Sequence, residues 1–131
     1  MASILIADDD AHIVRVMTIW LQRHGHRVTA ARNGREALHW LETPSDQEGG
    51  SETIDLIITD VNMPLLDGVQ FTSAVRERFG DEMPIIMLTA RCDQDRLSEQ
   101  LAGRAVQIFP KPFLPSQLVA EIDRLLGPVG A

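Results

Sequence analysis

The chain has 131 residues, 44% of them hydrophobic, and a formal net charge of -7. That length suits one domain over residues 1–131 with a packed core, and the acidic balance without a basic cluster argues against a nucleic-acid or anionic membrane surface. No apolar run reaches membrane-spanning length, Met1-Ala2-Ser3 leads straight into a strand rather than a signal peptide, and the lone Cys92 excludes an internal disulfide, so a soluble cytoplasmic protein is expected.

Ile4-Leu5-Ile6-Ala7 is a short apolar run that stops at Asp8-Asp9-Asp10, which reads as a buried strand with an acidic end. A helix follows from Ala11 to His24, with Ile13, Met17, Trp20, Leu21 and His24 on one face, Asp10 as N-cap and Gly25 as stop. Arg27 to Ala31 is a weaker strand, suited to an edge. Asn33 and Glu36 have capping-box spacing and open a helix carrying Ala37, Leu38 and Leu41. The polar segment Thr43 to Thr53 is a loop, long for an α/β connection.

Ile54 to Asp60 reads as the central strand, followed by turn signals at Pro64 and Gly68. Asp67 and Gln70 repeat the capping-box spacing, and Val69, Phe71, Thr72, Val75 and Phe79 form the apolar face of the helix they open. Gly80 ends it. Pro84 to Thr89 is a fourth strand, Arg91 to Gln100 an exposed helix with Leu97 and Leu101 inward, and Ala105 to Phe109 a fifth strand ending at Pro110-Lys111-Pro112. The last helix starts near Pro115, carries Leu118, Val119, Ile122, Leu125 and Leu126 on its core stripe, and stops at Gly127-Pro128. Five strands alternating with five helices predict an α/β fold, a doubly wound parallel sheet with helices on both faces and right-handed crossovers.

In such a sheet all strand ends of one sense lie on one rim, the place where open α/β sheets bind ligands. Four strands end in residues of chemical use: Asp8 and Asp9, then Asp60, Thr89 and Lys111. Like charges about 4 Å apart repel by about 4 kcal/mol at an effective dielectric of about 20, so converging carboxylates call for a cation. Mg²⁺ fits, since it takes one or two carboxylates together with substrate phosphate. Lys111 supplies a point charge for a phosphoryl oxygen and Thr89 a hydroxyl donor, which leaves Asp60 as the nucleophile of a phosphoryl transfer.

Four pieces carry a resemblance over essentially the whole chain: Ile4 to Asp10, Ile58 to Pro64 with Asp67-Gly68, Leu88-Thr89-Ala90, and Lys111-Pro112-Phe113. Together the pattern resembles the receiver domain of bacterial two-component response regulators. The resemblance implies the flavodoxin-like strand order 2-1-3-4-5, with the site at the switch point between the first and third strands. It implies that Asp60 takes a phosphoryl group from the phosphohistidine of a histidine kinase or histidine phosphotransfer protein. Mg²⁺ would be held by the Asp9 and Asp60 side chains, the Asn62 backbone carbonyl and, mainly through water, Asp8. Thr89 and Lys111 would contact the phosphoryl oxygens, and the Lys111–Pro112 bond would be cis. Such a domain catalyses only its own phosphorylation and dephosphorylation. It passes the signal to a downstream protein through the fourth helix, fifth strand and fifth helix, as a monomer or weak dimer. The chain departs from the family at Ile108, where a Tyr or Phe usually stands three residues before the lysine, and at Leu114, a poor helix cap.

The other residues have ordinary structural roles. Asp10 and Asp67 are helix caps, the four histidines are surface or core groups without metal-ligand spacing, Trp20 and Trp40 are packing, and Cys92 is an ordinary thiol. Arg91, two residues after Thr89, stands where it could tune phosphate lifetime. Three other functions compete with this one: a degenerate receiver serving as an interaction module, a haloacid-dehalogenase-type phosphatase, and a flavin-binding protein. The phosphatase motif needs a hydroxyl residue where His12 stands, and three aspartates after the first strand would repel a flavin phosphate.

Overall fold

The computed structural model describes residues 3–42, 54–63, 65–80, 83–90, 93–101, 106–111 and 113–126, with Gln94 by its backbone alone. The expectations for the loop 43–53, Pro64, Arg91, Cys92, Ala105, the Lys111–Pro112 bond and Gly127-Pro128 lie outside these residues. The elements run β1 (Ser3–Ala7), α1 (Ala11–Arg23), β2 (Arg27–Ala31), α2 (Gly34–Glu42), β3 (Leu56–Asp60), α3 (Gly68–Phe79), β4 (Ile85–Ala90), α4 (Gln94–Gln100), β5 (Val106–Lys111) and α5 (Pro115–Leu126).

The strands form one sheet in the order β2-β1-β3-β4-β5, all pairs parallel. β1 and β3 are buried along their whole length, as is β4 up to Thr89, because helices cover both faces; this is why these strands read as unbroken apolar runs. β2 and β5 are the edges and are more exposed, so Pro110 sits in β5 without breaking a central ladder.

Alternation along each strand sorts the core into two layers. Ile4, Ile6, Leu56, Ile58, Ile86 and Leu88 face α1 and α5, meeting Met17, Leu21, Leu118 and Ile122. Leu5, Ala7, Ile57 and Ile85 face the other way, against Ala37 of α2 and Phe71 and Val75 of α3. A smaller cluster seats α4 through Leu97 and Leu101 on Val61 and Met87.

The caps form locally. Asp10 accepts from the His12 and Ile13 amides, and Asn33 from the Glu36 amide at 2.8 Å. Asp67 and Gln70 make the full reciprocal box at the start of α3. Leu114 offers α5 no side-chain cap, and Gln117 compensates by accepting the Leu114 amide at 3.3 Å. Gly25, past the end of α1, has φ 84°, the left-handed geometry expected of a stop.

Several sequence expectations need correction. Phe79 is 41% exposed, not part of the α3 core stripe; it is the last residue of α3. His24 is exposed rather than inward; its ring stacks on Trp20 and its Nδ1 lies 2.9 Å from the Trp20 carbonyl. β5 continues through Pro110 to Lys111 instead of ending at Phe109, since Thr89 pairs with Pro110 and Ala90 with Lys111. β3 starts at Leu56 rather than Ile54, and α4 at Gln94. His26 is a core histidine: burial holds its pKa below the ordinary range, with Asp123 of α5 3.9 Å from Nε2.

Candidate metal centre

Register builds the site. Ala7 pairs with Thr59, so Asp8 and Asp60, each one residue further on, emerge level at adjacent strand ends. Asp60 itself pairs with Leu88, which puts Thr89 one step beyond it. Lys111 pairs with Ala90, one step further still, and its side chain reaches back so that Nζ lies 3.1 Å from Asp60 Oδ1.

Carboxylate oxygens of Asp8, Asp9 and Asp60 all lie within 4.8 Å of one another. Asp8 and Asp60 are buried, while Asp9 faces solvent. Asp60 Oδ1 also accepts the Val61 amide at 2.9 Å, which fixes its orientation at the strand end. Asp8 Oδ1 accepts the Asp10 amide at 2.9 Å, but Oδ2 is buried with no hydrogen-bond partner. Burial is the main cause that pushes the Asp8 carboxyl up to about 6, with the Asp60 charge adding to it and the Asp10 amide and Lys111 opposing. A buried carboxylate oxygen without a donor, facing two further carboxylates, is an environment that a hard oxygen-loving cation satisfies. The donor set therefore fits such an ion.

Thr89 is buried at the end of β4, its hydroxyl donating to the Ala90 carbonyl at 3.4 Å, a long bond that leaves it available to another acceptor. Asn62 is exposed two residues past Asp60. Asp10 and Asp67 cap α1 and α3, as their positions suggest.

In the sequence Gly68 is a turn signal and part of the family motif, and neither shows what surrounds it. Here the loop after β3 folds back so tightly that the Gly68 amide donates to the Val61 carbonyl at 2.8 Å, and a Cβ at Gly68 would stand 2.1 Å from the Asp60 carbonyl oxygen. No side chain fits. Gly34 backs the same loop, donating to the Leu66 carbonyl at 3.2 Å. Leu65 makes the turn with φ 67°, a left-handed strain that a leucine rarely adopts, and is 73% exposed. Nothing in the one-dimensional pattern announces these approaches, since they follow from how α3 docks.

A family model for the response regulator receiver domain matches residues 4–123. The chain is 36% identical over 126 residues to the response regulator MprA of Mycolicibacterium vanbaalenii, covering 94% of this chain and 49% of that protein. It is 32% identical to the transcriptional regulatory protein ResD of Bacillus subtilis, covering 94% of this chain and 47% of that one. The chain thus spans about half the length of the curated relatives it matches. Among solved structures, the fold matches a Francisella response regulator receiver domain at TM-score 0.82 and 27% identity, covering 96% of this chain and 97% of that one. It matches the chemotaxis response regulator CheY4 of Vibrio cholerae at TM-score 0.81 and 32% identity, over 96% and 99%.

Proposed function

Because the chain belongs to the response regulator receiver domain family, we propose that it is a single phosphoacceptor domain over residues 1–131 in which Asp60 receives the phosphoryl group. One observation carries this reading: Asp60 shares a rim with two carboxylates within 4.8 Å while its own Oδ1 meets Lys111 Nζ at 3.1 Å. Asp8, Asp9 and Asp60, with the Asn62 backbone carbonyl, are the groups that would hold Mg²⁺. When bound, that ion offsets the charge gathered by the carboxylates and the arriving phosphoryl group.

The chain's own residues do the rest. Asp60, held by the Val61 amide, presents a carboxylate oxygen as nucleophile. Lys111 leaves its bond to Asp60 for a phosphoryl oxygen, and the Thr89 hydroxyl donates to another. The phosphodonor is a histidine kinase or histidine phosphotransfer protein, in the cytoplasm, and the domain turns over no other substrate. Ile108 stands half-buried in the cluster of Val61, Met87, Leu97 and Leu101. The link from the loop after β3 to α4 is thus aliphatic packing, and phosphorylation shifts a pre-existing balance of α4 positions that a downstream protein reads.

The test is incubation with Mg²⁺ and acetyl phosphate. One phosphoryl mass is expected on the intact chain, and none on Asp60→Asn. A label that persists in that variant would place the acceptor elsewhere.

A further inference from the structure

A groove of about 580 Å³ opens beside the carboxylate rim, between α1 and the ends of β4 and β5. Its walls are Ile13, Val16 and Met17 of α1 with Phe113 and Pro115 before and at the start of α5, and His12, Ala90 and Lys111 line it too. The size lies within the range of small-molecule sites, and such sites combine apolar walls with a few placed polar groups. Lys111 is the junction: the same side chain lines the groove and bonds Asp60 at 3.1 Å. An anion drawn to Lys111 therefore has an apolar wall within reach of its far end.

We infer that this groove seats the apolar tail of a small acyl phosphate donor, so that Ile13, Val16 and Phe113 set a preference for longer acyl chains. The inference rests on Asp60 as acceptor. In the step, an Asp60 carboxylate oxygen forms a bond to phosphorus while the bond from phosphorus to the donor's bridging oxygen breaks. The electron pair departs with the donor's carboxylate, and no proton or redox change is needed. Acetyl phosphate leaves the groove empty. A butyryl chain reaches its walls and removes apolar surface from water as the donor binds.

The purified chain with Mg²⁺ is given acetyl phosphate or butyryl phosphate at equal concentration, and labelling of Asp60 is followed by intact mass. The two leaving carboxylates are nearly equal in basicity, so the rate ratio reads the groove. Butyryl phosphate is expected to label about fivefold faster, allowing for one open side. Val16→Trp, which fills the groove, and Val16→Ser, which makes its wall polar, both bring the ratio towards one. Ile19→Ser, on the exposed side of the same helix, keeps the parent ratio. A second readout needs no turnover: 2-oxopentylphosphonate should bind about fivefold tighter than 2-oxopropylphosphonate and shift the amide signals of residues 12–17. Ratios near one for both pairs, or a butyryl preference that Val16→Trp leaves in place, would overturn the groove assignment while acetyl phosphate labelling of Asp60 still upheld the acceptor. Labelling retained in Asp60→Asn would overturn the acceptor and leave the phosphonate pair to decide the groove.

Discussion

At the start of β3, Asp55 accepts the Ser3 amide at 2.8 Å and its own amide donates to the Ser3 carbonyl at 2.8 Å; at the end of the same strand, Asp60 lies within 4.8 Å of two other carboxylates. The two aspartates bracket one strand, Asp55 just before β3 and Asp60 at its end, and differ in what surrounds them. Asp55 is exposed and accepts from the Ser3 amide, so its charge is both hydrated and used to tie β1 to the start of β3. Asp60 and its neighbour Asp8 are buried where their charges oppose each other, and Asp8 keeps an oxygen that no donor meets. One end of the sheet is finished for stability. The other keeps an electrostatic debt that only an added cation and a lysine relieve.

The contrast can be broken most strongly at Gly68. A methyl there would meet the Asp60 carbonyl oxygen at 2.1 Å, so Gly68→Ala should cost about 2–4 kcal/mol in urea unfolding and slow labelling of Asp60 as the strand end shifts. Asp8→Asn should act in the opposite direction. Its carboxyl is raised from 3.8 to about 6, so the fold favours the protonated form; that contribution is complete below pH about 4 and lost as pH rises through about 6. At pH 7 and without divalent cation, Asp8→Asn should therefore gain about 1–2 kcal/mol, a figure reduced for the solvent that reaches the rim, and the gain should vanish near pH 4. Urea titrations at the two pH values check the sign. Asp55→Ala should be the mildest, costing about 1 kcal/mol at pH 7 and leaving the rate of Asp60 labelling unchanged. A stabilising Asp55→Ala, or a destabilising Asp8→Asn at pH 7, would reverse the roles given to the two ends.

Most of this fold was legible from the chain because its central strands are apolar runs, and its first three helices carry caps at the expected spacing. The acidic ends after Ala7 and at Asp60 could be placed on one rim because parallel strands leave no other arrangement. What escaped the sequence depends on docking. Phe79 fits the helical period but closes α3 and is exposed, since periodicity names a face without saying how far along the helix that face is covered. Asp55 looks like any polar residue before a strand, and its tie to Ser3 appears only once β1 and β3 are in register. Gly68 has the same composition signal as any turn glycine, while its need for no Cβ comes from the return of the chain onto Asp60. The largely apolar groove beside Lys111 unites Ile13 and Val16 with Phe113, residues far apart in sequence, and no local pattern foretells it.

The central claim is that the rim's carboxylates are held together at a cost which Mg²⁺ removes. Thermal unfolding at pH 7 across a Mg²⁺ titration tests it most directly. The melting temperature of the parent chain should climb and keep rising with ion concentration, by an amount equivalent to about 2.7 kcal/mol at a hundredfold excess over the dissociation constant, and the climb should nearly disappear in Asp9→Asn/Asp60→Asn. A parent melting temperature indifferent to Mg²⁺, or a climb as large in the double variant, would contradict it.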